Sequence, residues 1–323
     1  MRRGPGPASA MWRMFAGSLA AGQVTAAADA DESVRDELAP PRGGMQRALA
    51  VLGRDRLAVL GLAFVALLVI VALFAPQLAP YPDMGMGRSS VTTRALPPSP
   101  GFVLGTDRLG RDVLSRIIYG ARPALIAPLI VVLLAVGIGA PLGAVAGLMG
   151  GWVDEVIMRV CDLFLAFPSL LLAMAIVALA GPSLSNAVVA LAVSWWPWYT
   201  RLVRGVAVSL RQQAFVEAAR GLGAGTGRVM LRHILPNSIT PILVQASLDV
   251  GTVILATTGL AFIGLGSQPP AADWGLMIED GRALLRTAWW TSTFPGLAIF
   301  LAVLSFNLVG DALRDLFDPK EYR

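Results

Sequence analysis

The sequence predicts an all-α integral membrane protein with six transmembrane helices. Of its 323 residues, 55% are hydrophobic and only 15% are charged, and the mean hydropathy is +0.66. Soluble domains carry about a quarter charged residues, so this composition excludes an ordinary soluble domain. The charges are also clustered, which leaves uncharged runs of the roughly 20 residues that a helix needs to cross a hydrocarbon core.

The first predicted span covers residues 57–79 and ends near Pro76 and Pro80. Residues 1–44 before it are rich in Ala, Gly, Pro and charge, and they lack the apolar stretch of a signal peptide. We expect them to form a disordered cytoplasmic tail.

Between the first and second spans the chain reads VLGTDRLGRDVLSRIIYGAR. Its apolar residues recur at helical spacing, opposite its arginines. Arg108 and Asp112, and Asp112 and Arg116, are four residues apart, the separation at which helical ion pairs form. This pattern predicts an amphipathic helix along the membrane surface before the second span.

The second span is predicted at residues 123–147, where Gly139, Gly143 and Gly147 recur every four residues. Small residues at this spacing let two helices approach closely inside a membrane. The stretch GGWVDEVIMRVCD is interpreted as a short polar turn, and the third and fourth spans are predicted at residues 163–180 and 185–202.

Residues 205–237, here called the polar segment, separate the fourth span from a fifth at residues 238–262. The sixth span is predicted at residues 294–309, after a second outside segment with three tryptophans, which suits a membrane interface. We divide the chain into the tail 1–44, the first helix with its external segment 45–120, a core of five spans 121–311, and a C-terminal tail 312–323.

Basic residues orient these spans. With the N-terminus inside, 18 of the 26 basic residues lie on the cytoplasmic side. The positive-inside rule therefore places both termini and the polar segment in the cytoplasm.

Within the polar segment, residues 217–236 read EAARGLGAGTGRVMLRHILP. Its glycines permit a sharp turn between two short helices. We expect Thr226 to cap the second helix, Pro236 to end it, and Glu217 to brace the two helices through its carboxylate. Such a pair of helices would carry a partner's movement to the spans on both sides.

Several activities are excluded. One cysteine, Cys161, permits no internal disulfide, and one histidine, His233, excludes a His-rich metal site. The only lysine, Lys320, stands in DPKEYR, so the chain has no phosphate-binding Gly-Lys loop. Without a nucleophile and base on one face, we predict no catalytic residue, no metal and no cofactor.

The pattern formed by EAA, a glycine four residues later and a distal Leu-Pro resembles the cytoplasmic coupling-helix loop of ABC importer permeases. The stretches LGTDRLGRDVLSRIIYGAR, ARGLGAGTGRVMLRHILPNSITP, LAFIGLGSQPPAADWG and FPGLAIFLAVLSFNLVGDALRDLFDPK are similar to the C-type permease of dipeptide, oligopeptide and nickel importers. The resemblance covers residues 50–320. His233 stands where the general loop pattern has isoleucine. The form RHILPN found here resembles that of the peptide-importer branch.

The resemblance implies a type I ABC importer permease fold and ATP-driven transport of peptides, or of nickel chelates or glutathione, by alternating access in a bacterial inner membrane. It implies a second homologous permease, two ATPase subunits and an external solute-binding protein as partners. The permease itself would be no enzyme. The residues that carry the ATPase-docking motif are Glu217, Ala218, Ala219, Arg220, Gly223, Leu235 and Pro236.

Asp249 lies near the middle of the fifth span, where an ionisable group is costly and points to a functional site. It could act in translocation or gating, contact the substrate, or only hydrogen-bond to a neighbouring helix. An ion-coupled secondary transporter that uses Asp249 is the alternative function, although such a carrier needs no coupling loop.

Overall fold

The computed structural model of the protein describes residues 56–317, and their regular structure is helical. The predicted N-terminal tail, residues 1–44, lies outside the described residues, as do residues 318–323 of the C-terminal tail. The first apolar helix is α1, and two single-turn helices and a 3₁₀ turn follow it: α1 Arg56–Leu73, α2 Ala75–Leu78, α3 Pro82–Gly85 and the turn Val91–Thr93.

Helix α4, Val113–Met149, is 37 residues long and contains three prolines. It begins at Asp112, whose carboxylate accepts hydrogen bonds from the Ser115 backbone N–H at 2.8 Å and from the Ser115 hydroxyl at 2.6 Å. A side chain that accepts from the first turn in this way is a helix N-cap. Gly150 and Gly151 end the helix with φ of +64° and +55°, values that glycine adopts without strain.

The stretch interpreted as a polar turn is helix α5, Gly151–Leu165, so that prediction was wrong. Two of its acidic residues, Asp154 and Asp162, pair with arginines of helix α7, introduced below. Helix α6, Ser169–Ala180, follows after a bend of 82°. The bend lies at Pro168, which has no backbone N–H with which to continue α5.

Helix α7, Leu184–Arg211, starts at Ser183, whose hydroxyl caps the Asn186 backbone N–H. The polar segment then forms α8, Ala214–Gly221, and α9, Thr226–Val229, followed by a π-helical turn at Met230–Ile234.

Helix α10, Leu235–Phe262, continues from this π turn, so residues 226–262 form one helical run. Pro236 therefore does not end the helix, contrary to expectation. It lies inside this run, directly after the π-helical turn, and as a proline it removes one backbone N–H from the helical hydrogen bonds there. Helix α11, Trp274–Gly281, a 3₁₀ turn at Arg282–Leu284, and α12, Trp290–Phe317, complete the described chain.

Within residues 56–317, four helical runs are long and apolar enough to cross a membrane: α1, α4, residues 226–262 and α12. The bent pair α5–α6 makes a fifth if it forms one span. Helix α7 is long enough, but its tryptophans, Tyr199 and Arg201 lower its hydropathy. The predicted number of six spans is therefore not reproduced exactly, although each predicted span contains a helix.

The predicted close approach of helices is confirmed on α4. A methyl group on Gly139 would stand 2.5 Å from the Trp196 carbonyl oxygen, and one on Gly147 would stand 2.5 Å from the Ala207 side chain. Gly143 likewise faces the α7 backbone. Only glycine lets the two backbones come this close, so α4 and α7 pack backbone against backbone along this face.

Candidate functional site

The turn between α8 and α9 is held by three backbone hydrogen bonds. The N–H of Ala224 donates to the carbonyl of Ala219 at 3.0 Å, that of Gly223 to Arg220 at 2.9 Å, and that of Leu222 to Ala218 at 3.0 Å. The bonds from Ala224 and Gly223 form a Schellman motif, which requires a left-handed residue after the helix. The spacing of the EAA triplet and Gly223 is thus the spacing of a helix and its cap.

Gly223 fills this position because of its backbone conformation. Its φ is +85°, and nothing lies within 4 Å of a methyl group added to it. A side chain would find space there but would strain the backbone.

The underside of the polar segment is apolar. Val216 in α8, Val229 in α9 and Ile234 in the π turn are each fully buried. They pack against the last turns of α4 and the second half of α7: Ala140, Ala144, Leu148, Val203 and Ala207. The polar segment is therefore fastened to two long helices.

The opposite face is exposed and has an apolar component that the sequence analysis missed. Leu222 is 90% exposed at the turn, and Phe215 and Leu231 are also exposed. A leucine between two glycines, in a segment otherwise polar, is the signal that could have identified it. Large apolar side chains left exposed within one short segment are typical of a protein interface.

Two expected roles in this segment are not observed. Gly225, rather than Thr226, is the N-cap residue of α9, and no side chain accepts a hydrogen bond there. Glu217 is exposed and does not brace the two helices, because its carboxylate has no partner among residues 56–317. The Schellman turn and the buried valines hold the helices instead.

The remaining motif residues lie on this surface or beside it. Ala218 and Arg220 are exposed, Ala219 and Leu235 are half-buried, and Pro236 is exposed at the start of α10. The structure thus brings the predicted docking residues to one end of α4, α7 and α10.

Two ion pairs join α7 to α5 near this end. Arg204 donates to both carboxylate oxygens of Asp154, at 2.5 and 2.6 Å, and Arg201 donates to Asp162 at 2.5 Å. The two-point geometry of the Arg204 pair fixes the orientation of α5 against α7.

Asp249 is far from the polar segment and is not free. Its carboxylate accepts a hydrogen bond from the Tyr199 hydroxyl at 2.6 Å and one from the Gln245 amide at 3.1 Å. Asp249 is only 9% exposed, and Tyr199 is fully buried. The bond to Tyr199 joins α10 to α7.

The arginines before the second span do not form the predicted surface helix. Residues 99–112 form turns, and α4 begins only at Val113. The pairs Arg108–Asp112 and Asp112–Arg116 are not formed, because Asp112 bonds to Ser115 as the N-cap of α4. That prediction was wrong, since the arginines have partners elsewhere in the fold.

Four charged residues of this segment and Asp280 of α11 meet in a largely buried group, here called the charge cluster: Asp107, Arg108, Arg111, Arg116 and Asp280. Arg111 donates to Asp107 at 2.6 Å and to Asp280 at 3.0 Å. Arg108 also donates to Asp280, which raises the pKa of Arg108 above its usual value.

Arg116 completes the cluster. It is fully buried, and its guanidinium donates to the carbonyls of Pro270 and Ala271 at 3.3 and 2.7 Å. The cluster therefore joins the start of α4 to α11 and the loop before it. It lies at the other end of α4 from the polar segment, roughly 35 Å away at 1.5 Å per residue.

Comparison with known proteins gives two family matches. Residues 139–321 match the family described as binding-protein-dependent transport system inner membrane component. Residues 45–98 match the N-terminal TM domain of oligopeptide transport permease C.

Several relatives are similar over most of their length. The dipeptide transport system permease protein DppC of Alkalihalophilus pseudofirmus is 44% identical, over 85% of this chain and 90% of its own. The probable D,D-dipeptide transport system permease protein DdpC of Escherichia coli is 44% identical, over 82% and 88%. The glutathione transport system permease protein GsiD of Pectobacterium atrosepticum is 43% identical, over 83% and 88%.

Among solved structures, an inward-facing MetNI methionine ABC transporter contains a similar chain. The TM-score is 0.51 at 17% sequence identity, and the match covers 63% of this chain and 97% of that one. At this identity the likeness supports the fold alone.

Proposed function

Because the chain belongs to the family of binding-protein-dependent transport system inner membrane components, we propose that it imports short peptides as one permease subunit of an ATP-driven transporter. The family and the all-helical fold make it an ABC importer permease, a multi-pass membrane protein. Peptides are the proposed cargo because relatives of 43 to 44% identity are named for dipeptide, D,D-dipeptide and glutathione transport.

The polar segment is the proposed docking site for an ATPase subunit. Its underside is fastened to α4 and α7, while its outer face carries the exposed apolar side chains of Phe215, Leu222 and Leu231. This two-faced arrangement supports the proposal most strongly, because a surface that only faced water would not need the apolar outer group.

The motif residues have distinct roles in this proposal. Glu217, Ala218 and Arg220 offer small and charged contacts to the partner, and Ala219 and Gly223 hold the turn that presents them. Leu235 and Pro236 connect the docked surface to α10.

The proposed assembly contains a second homologous permease, two ATPase subunits and a solute-binding protein on the far side. The chain lies in the cytoplasmic membrane of a bacterium with both termini in the cytoplasm. Eighteen of 26 basic residues favour this orientation. ATP hydrolysis belongs to the partners, since the chain has no phosphate-binding loop, and the permease is non-catalytic.

Asp249 is proposed to act in gating. Its carboxylate already accepts two hydrogen bonds within the chain, which leaves it poorly placed to relay an ion or to hold a substrate. No observation favours the ion-coupled carrier.

A change at the exposed leucine tests the docking role. Leu222→Glu in the co-expressed transporter should leave the permease folded but abolish copurification of the ATPase subunits, because a charge would replace an apolar contact. Val91→Glu is the matched control, since Val91 is 73% exposed in the segment before α4. Unchanged copurification of the ATPase subunits with Leu222→Glu would contradict the docking role.

Uptake tests the cargo. The complete five-subunit transporter, expressed in a host that lacks peptide importers, should accumulate labelled dipeptide in an ATP-dependent manner. This uptake should resist a protonophore when ATP is maintained. Uptake of glutathione but no dipeptide would narrow the cargo, and uptake abolished by the protonophore at constant ATP would contradict the proposal.

A further inference from the structure

The polar segment connects two helices, α7 and α10, that meet again inside the membrane. Tyr199 lies about 18 Å before the end of α7, and Asp249 lies about 21 Å after the start of α10, at 1.5 Å per residue. The two residues are therefore at similar depth. Their hydrogen bond joins the two ends of the segment 199–249, which contains the polar segment.

The Tyr199–Asp249 hydrogen bond is shielded from water, so water cannot easily replace either partner. Tyr199 is fully buried, Asp249 is 9% exposed, and their oxygens are 2.6 Å apart. In a low-dielectric environment a hydrogen bond is strong, and separating the two groups would leave the buried Tyr199 hydroxyl and one Asp249 carboxylate oxygen without a partner. Gln245, on the same face of α10, holds the second carboxylate oxygen.

Tyr199 is also fixed from the side of α4. A methyl group on Gly139 would lie 2.7 Å from the Tyr199 Cβ, so the tyrosine sits directly against the α4 backbone. The Tyr199 Cβ therefore lies against α4, while its hydroxyl donates to Asp249 of α10. The bond thus forms where three helices are in contact.

Asp249 in turn rests near α12. Gly251 of α10, two residues after Asp249, faces the Asn307 side chain of α12. Gly310 of α12 faces the Leu248 side chain of α10. Movement of α10 at the level of Asp249 must therefore be shared with α12.

We propose that the Tyr199–Asp249 hydrogen bond couples α7 and α10 mechanically. When an ATPase displaces the polar segment, the two helices then move together at mid-membrane. Tyr199 and Asp249 are positioning residues, and neither contacts the cargo. This inference rests on the proposed docking role of the polar segment. Coupling between distant sites is carried by such packed and hydrogen-bonded elements.

The measured quantity is the number of peptides imported per ATP hydrolysed by the assembled transporter in proteoliposomes. Tyr199→Phe removes only the hydroxyl. It should keep ATP hydrolysis within about twofold but lower peptides imported per ATP about tenfold, the factor that corresponds to 1.4 kcal/mol. Tyr81→Phe is the control, because it removes an exposed tyrosine hydroxyl that donates to the Gly101 carbonyl at 2.7 Å.

Substitutions of Asp249 test whether import needs its hydrogen bond to Tyr199 or its negative charge. Asp249→Asn keeps an oxygen that accepts from Tyr199, and its amide can donate to Gln245 once the glutamine amide turns over. Its import ratio should stay within about threefold of the parent, whereas Asp249→Leu should fall at least as far as Tyr199→Phe.

Three results would contradict the proposed coupling of α7 and α10. A parental import ratio in Tyr199→Phe would show that the bond is not needed, and a failure of this variant to assemble would make the bond a folding contact only. Loss of import in Asp249→Asn equal to that in Asp249→Leu would show that the charge itself is required, as in contact with a cationic cargo group. Failure of the proposed function would be seen separately, as absence of ATPase subunits from the parent complex.

Discussion

The polar segment and the charge cluster stand at opposite ends of α4, and both are rich in arginine, but they use it differently. In the charge cluster, Arg111 and Arg116 are buried and bonded to carboxylates or carbonyls of other segments. In the polar segment, Arg220, Arg228 and Arg232 are exposed, and their guanidinium groups have no partner among residues 56–317. A paired, buried arginine holds a fold together, whereas an exposed, unpaired one is available to another chain.

The largest effect should come from removing the shared carboxylate of the charge cluster. Asp280→Ala leaves Arg111, which is 2% exposed, without one of its two acidic partners. Breaking a buried pair from one side costs about 3–5 kcal/mol of unfolding free energy. Thermal unfolding of the purified protein in detergent, followed by tryptophan fluorescence, should show a large fall in the midpoint.

Asp83→Ala is the matched control for this change. Asp83 pairs with Arg88 at 3.1 Å, but both side chains are mostly exposed. Such a pair contributes less than about 1 kcal/mol. Equal midpoints for Asp280→Ala and Asp83→Ala would mean that the buried pairs of Asp280 contribute no more to stability than an exposed ion pair.

A smaller effect is expected at the turn of the polar segment. Gly223→Ala should lower the unfolding free energy by about 1–2 kcal/mol, because alanine is strained at a φ of +85°. It should also reduce uptake by displacing Leu222. Gly223→Leu should destabilise the protein by a similar amount, since there is open space around this position.

Gly221→Ala is the control for Gly223→Ala. It also replaces a glycine by alanine, but at a position where the backbone is not strained. Gly221 is the last residue of α8, its φ is not positive, and nothing lies near a methyl group added there. The substitution should leave stability unchanged or slightly higher. If it were as harmful as Gly223→Ala, the Schellman turn would not explain the motif.

The smallest effect on stability is expected for an exposed arginine. Arg220→Gln should change the unfolding free energy by less than about 0.5 kcal/mol, because the guanidinium has no partner in the described chain. Its effect should appear in ATPase binding, as weaker copurification whose dependence on salt is reduced. A clear fall in the unfolding midpoint would show that Arg220 has a structural role.

The amino-acid pattern was sufficient for features that depend on neighbours along the chain. Apolar runs located a helix in every predicted span, and the interval of Gly139, Gly143 and Gly147 identified the face of α4 that meets α7. The glycines of residues 217–236 were recognised as turn residues because glycine adopts positive φ without strain, and Gly223 is the one that does so. The α5 helix was missed because Asp154 and Asp162 made the stretch look like a polar turn, and their partners lie in α7.

The errors concern partners that are distant in sequence. Arg108 and Asp112 have the spacing of a helical ion pair, yet Arg108 bonds to Asp280, 172 residues away. Asp112 caps α4 instead, and Glu217 meets nothing in the described chain. Local spacing shows which pairs could form but not which competing partner lies closer in the folded chain.

The sequence alone determined the class, the order of the helices and the site where another protein is proposed to dock, because composition, periodicity and turn chemistry act over a few residues. Tertiary structure decided which charges are buried, that Leu222 projects from the turn, and that Asp249 is held by Tyr199. Burial and long-range hydrogen bonds depend on how helices pack, and packing brings together residues that no short stretch of sequence relates.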